Sequence, residues 1–198
     1  MPQTPANESP ARAMLLNAEE FRKAAIMLES YPFLSGLDPH IIIPMMVCYA
    51  FATEMYLKFL LSHVTGRDVP ETHDLEELFR NLPKPVKRRI KKAWENPPGI
   101  EANIRNAIES KLGRSRSFEE TLSDSAHAFV SLRYHYELGN VTGFNFSGDL
   151  LGAIRRVIFE LYPTEFSDIR LPLPIGAVPA DVQNSILTAV RPPASQCS

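Results

Sequence analysis

Only two cysteines occur in the 198 residues, Cys48 and Cys197. They lie too far apart to suggest a disulfide framework or a metal-ligand pair, so the chain reads as one from a reducing compartment, the cytoplasm. Glycine is sparse, at nine residues, and no glycine-rich loop follows a strand-like run, which leaves out a phosphate loop of the dinucleotide or P-loop type. Strand-period alternation of useful length and repeats of solenoid length are also missing. The longest apolar stretch, Ile41 to Ala52, is broken by Pro44, and residues 1–20 hold no apolar core behind a positive end. Neither export nor a membrane span is expected. No histidine pair has zinc spacing and no serine sits in a nucleophile elbow, so the pattern calls for no metal and no cofactor. An excess of one charge is lacking too: 21 Lys and Arg face 23 Asp and Glu, a net charge of -2. A uniformly basic nucleic-acid protein is thereby excluded.

What is present reads as one helical domain. Apolar residues make up 44% and charged residues 22%, the balance of an ordinary globular chain. Residues 1–16 are polar and rich in proline and read as a mobile arm. From 17 to 162 the apolar period is helical. Asn17 is placed as a cap, Glu19 and Glu20 as first-turn acids, and Phe21, Ala24, Ala25 and Leu28 as the first apolar stripe. Tyr31 to His40 reads as a loop. A second helix from about Ile41 to Val64 is apolar most of the way round and should be central. Asp74 caps a short third helix over Leu75 to Leu82, and weaker helices cover Val86 to Glu95 and Ile100 to Lys111. Ser117 opens a helix whose seam runs unbroken to Glu137, and Leu150 to Leu161 forms the last. Residues 163–198 carry six prolines and read as an extended tail, with a short helix over Asp181 to Val190. The fold class is all-α.

Charge is unevenly spread. Lys84 to Arg116 holds ten basic against three acidic residues, net +7, a strip able to track phosphates through Lys87, Arg88, Arg89, Lys91, Lys92, Arg114 and Arg116. Polar residues also interrupt apolar helices. Glu54 and Lys58, and Arg133 and Glu137, are spaced four apart, and a charge on such a face needs a partner. These four are expected to form one cross-helix network. His73, in the turn before the third helix, reads as a ring that bonds backbone.

Two segments carry a resemblance. Ala52-Thr-Glu-Met-Tyr-Leu-Lys-Phe-Leu-Leu61, with His73-Asp-Leu after it, and Phe129-Val-Ser-Leu-Arg-Tyr-His-Tyr-Glu137 together resemble the HEPN superfamily of small helical domains. The resemblance covers roughly Ala18 to Pro163. It implies an up-and-down helical bundle that forms homodimers, with members that are metal-independent ribonucleases and others that are non-catalytic partners in toxin–antitoxin, phage-defence or stress systems. Carried onto this chain, it places Arg133 on the phosphate and His135 or His73 on the proton of an RNA 2′-hydroxyl. One residue separates Arg133 from His135, a shorter gap than in the nuclease members. That departure favours a binding or interaction module, with RNA or a protein as partner, over the ribonuclease.

Overall fold

The computed structural model describes residues 9–35, 39–133 and 148–169. Among the described residues there are eight helices and no strand, an all-α fold: α1 (Pro10–Ser35), α2 (Pro39–Thr65), α3 (Leu75–Asn81), α4 (Lys84–Glu95), α5 (Gly99–Leu112), α6 (Phe118–Ser125), α7 (Ala128–Arg133) and α8 (Gly148–Leu161).

The chain becomes helical earlier than Asn17. Ser9 accepts a hydrogen bond from the Arg12 backbone N–H at 3.2 Å and Pro10 follows as the first helical residue, a start for which proline is suited because its missing N–H would be unpaired there. Ala11, Leu15, Ala18 and Ala25 then form one buried stripe. The arm expected over 1–16 therefore ends at Ser9 within the described part, and the loop expected over Tyr31 to His40 shrinks to the gap between Ser35 and Pro39. Glu19 is not a first-turn acid but a fully buried residue.

α1 and α2 pack antiparallel. Glu19 meets Tyr56, Phe21 lies 4.5 Å from Phe51, and Glu29 accepts from the Tyr49 hydroxyl, so positions advance in opposite directions along the two helices. Tyr56, Leu57, Phe59 and Leu60 are all sealed from solvent, so α2 is covered over most of its circumference around Tyr56 to Leu60. It touches α1, α3, α7 and α8 and is the central helix. By length and composition Ile41–Thr65 would also suffice to cross a membrane, a test that the core helix of a soluble protein can pass as well. α4 presents Val86, Ile90 and Trp94 inward at helical spacing, and α8 buries Leu150, Leu151, Ile154, Val157 and Ile158.

The helix expected from Ser117 to Glu137 is interrupted. Ser117 and Glu120 form a reciprocal capping box that starts α6, but the helix stops at Ser125. The Ala126 carbonyl accepts the Leu75 backbone N–H at 2.8 Å. That bond ties the start of α3 to the joint and removes Ala126 from the helical ladder, and α7 begins anew at Ala128. The first part of the tail is not extended either. Phe166 and Ile169 are buried in the core, and Asp168 pairs with Arg12. The tail beyond, with the short helix expected over Asp181 to Val190, lies outside the described residues.

One buried group joins the ends of this assembly. Glu19 of α1 accepts from Tyr56 of α2 at 2.5 Å and from Arg155 of α8 at 2.5 and 3.1 Å, and Arg22 adds a further bond at 3.1 Å. Burial raises the carboxyl, but the Arg155 hydrogen bonds and charge, with Tyr56 and Arg22, carry it below the usual carboxylate range. The Tyr56 hydroxyl, buried against that carboxylate, is pushed well above its ordinary value. Glu19→Ala should cost about 3 to 5 kcal/mol by stranding Arg155, and Tyr56→Phe about 2 kcal/mol, measured by urea unfolding. Because the carboxyl sits below its unfolded value, its contribution is complete above about pH 4.3 and fades as pH falls through the folded value. The stability gap between the wild type and Glu19→Gln should therefore narrow on acidification below about pH 4.

Candidate functional site

Three residues of the expected polar set and its surroundings meet at the α2–α3–α7 junction. Glu54 is buried on α2, its side chain 1% exposed, and Lys58 one turn on donates to Oε1 at 2.8 Å. This is the helical pair read from the sequence, in the favourable Glu-before-Lys order. The third member is His73. Its Nδ1 lies 3.0 and 3.1 Å from the two Glu54 oxygens. His73 thus bonds a side-chain carboxylate and not the backbone, which corrects its reading as a structural turn residue. A carboxylate that is ionised can only accept, so the Nδ1 facing it carries a proton, and in the neutral ring the lone pair is on Nε2.

The imidazole is held in place by the elements around it. Asp74 accepts from the backbone N–H groups of Glu76 and Glu77 and fixes the start of α3, and Leu75 bonds Ala126. The Phe129 ring of α7 lies 5.6 Å from the His73 ring at an angle of 40°. Yet the His73 side chain is 54% exposed. A sealed carboxylate therefore orients a solvent-facing ring, an arrangement suited to proton transfer or nucleophilic attack through Nε2. Among the described residues no three His, Cys, Asp or Glu side chains gather around one point as metal ligands.

Arg133 is the last residue of α7, one turn beyond Phe129. Its side chain, and His135 and Glu137 entirely, lie outside the described residues, so of the expected four-residue network the described part contains the Glu54–Lys58 pair.

The basic strip divides in two. Lys91 donates to Glu119 at 2.6 Å, Arg114 to Glu120 at 2.9 Å, and Arg116 pairs with Asp124, so the acids of α6 neutralise three of the seven expected phosphate contacts. The Lys91 hydrogen bond holds the Glu119 carboxyl below its usual range. Lys87 donates to the Arg80 carbonyl at 2.8 Å. Arg88, Arg89 and Lys92, with Lys84, are exposed on α4 and have no ion-pair partner among the described residues.

The Glu19–Tyr56–Arg155–Arg22 cluster escaped the sequence reading. The available signal was Glu19 and Arg22 three apart on the stripe of Leu15 and Ala18, and Arg155 beside Ile154, Val157 and Ile158. A charge embedded in an apolar face calls for a partner on another element. Glu19, Tyr56 and Arg22 of this cluster are buried, Arg155 reaches in from the partly exposed side of α8, and together they tie three helices to one carboxylate.

Compared with known proteins, the chain matches no family model, no curated protein and no solved structure.

The two kinds of ion pair should differ in weight. Lys58→Ala, which leaves the sealed Glu54 with His73 alone among the described residues, should cost about 3 kcal/mol. Lys91→Ala, at a solvent-screened pair, should leave stability nearly unchanged. Equal melting temperatures for the two variants would contradict the burial assigned to Glu54.

Proposed function

We propose that the chain is a cytoplasmic, HEPN-like helical module that acts as a homodimer, engaging RNA and a protein partner in a bacterial-type defence, toxin–antitoxin or stress system. The observation that carries the RNA part is the α4 face: Lys84, Arg88, Arg89 and Lys92 stand in solvent with no ion-pair partner among the described residues, while neighbouring cations are tied to α6. Selection for solubility alone gives no reason to neutralise one side of a basic strip and leave the other bare. A compact row of free cations releases counterions when it meets a phosphate backbone. Exposed Phe21, Met27, Ile42 and Val130 on α1, α2 and α7 support an interface with another protein surface.

The Glu54–His73 arrangement favours a second reading, the metal-independent ribonuclease. There His73 Nε2 takes the 2′-hydroxyl proton and Arg133 steadies the phosphate.

Fluorescence anisotropy with a single-stranded RNA tests the first reading. Four phosphate contacts give a slope of about -3 for log K against log salt. Reversal of Arg88, Arg89 and Lys92 to glutamate should abolish binding, whereas reversal of Lys91 should change it far less. Salt-independent binding, or retention by the triple variant, would refute the α4 face. RNA cleavage that persists in EDTA and disappears in both His73→Gln and Arg133→Ala would establish the second reading, and intact RNA would dismiss it.

A further inference from the structure

We infer that His73 Nε2 is a phosphoryl-accepting nitrogen, a modification site for small donors with a good leaving group such as acyl phosphates and phosphoramidates. This is independent of RNA. A histidine that accepts a phosphoryl group needs a free lone pair on one ring nitrogen, access for the donor, and compensation for the positive charge that the ring acquires. His73 has all three. Nδ1 is occupied by Glu54 at 3.0 and 3.1 Å, so the neutral ring carries its lone pair on Nε2. The side chain is half exposed, while Glu54 behind it is sealed. Glu54 lies against the edge of the ring on which positive charge develops, and in that dry setting its effect on the ring is strong. Lys58 balances the carboxylate before the reaction. Phe129 beside the ring limits its rotation.

The step balances as follows. The Nε2 lone pair attacks phosphorus, the bond from phosphorus to the leaving group breaks, and the bonding pair departs with an acylate or, from phosphoramidate already protonated on nitrogen, with ammonia. The ring becomes an Nε2-phosphoimidazolium that keeps its proton on Nδ1, hydrogen-bonded to the Glu54 carboxylate. No oxidant, reductant or metal enters.

His127 supplies an internal reference. It too is exposed, in the turn between α6 and α7, and no carboxylate contact to its ring is present among the described residues. The probe is phosphoramidate acting on the full chain, read by 31P nuclear magnetic resonance and by mapping of the labelled peptides. Hydrogen-bond partners of metal-ligating imidazoles are worth about 10-fold to 100-fold, and on the same scale His73 should be labelled at least about tenfold faster than His127, and at Nε2 alone. His73→Gln should remove the fast phase and leave that of His127. Glu54→Gln should slow the fast phase toward the His127 rate. Should that variant fail to fold, the wild-type comparison of the two histidines decides by itself. Labelling of His73 at Nδ1, or at the His127 rate, would overturn the inference.

Discussion

A carboxylate shut away from water has to find its donors inside the protein, and two such carboxylates set the arrangement of this chain. Glu19 draws together α1, α2 and α8, with Arg155 reaching it from 136 residues away. Glu54 draws together α2 and the turn into α3 through Lys58 and His73. Apolar packing alone would allow these helices to slide or rotate against one another at small cost. Charged hydrogen bonds with fixed geometry do not, because losing one partner strands the other.

The same constraint separates scaffold from surface. At Glu19 every donor is drawn inward, and the cluster ends as a closed tie. At Glu54 the second donor is a ring on the rim, so half of the imidazole remains in solvent. The chemistry assigned to His73 follows from this asymmetry: a dry acceptor fixes the proton on one nitrogen and leaves the other available. The α4 cations belong to a different part of the molecule, where free and neutralised charges lie on the same basic strip, the neutralised ones tied to α6.

Much of this was legible in the sequence, and the exceptions have physical causes. The helical class, the central position of α2, the Asp74 and Ser117 starts and the Glu54–Lys58 pair rest on local spacing, which the folded chain retains. Three features depend on partners distant in sequence. The break at Ala126 exists because its carbonyl serves Leu75, about fifty residues earlier. The role of Glu19 requires Arg155. His73 meets Glu54 only because the segment between α2 and α3 returns alongside α2. The early start of α1 was within reach of sequence reasoning, since Ser9-Pro10 is a start signal and Ala11 and Leu15 extend the apolar stripe backward. Its proline content drew attention to disorder instead.

The account depends most directly on which nitrogen of His73 holds its proton. Long-range 1H–15N nuclear magnetic resonance on the imidazole rings reads this without substitution or ligand. The neutral His73 ring should be the Nδ1–H tautomer, with an Nε2 shift typical of an unprotonated nitrogen, and Glu54→Gln should alter that signal while leaving His127 as it was. A neutral ring found chiefly as the Nε2–H tautomer would contradict the orientation by Glu54 on which the account of this site rests.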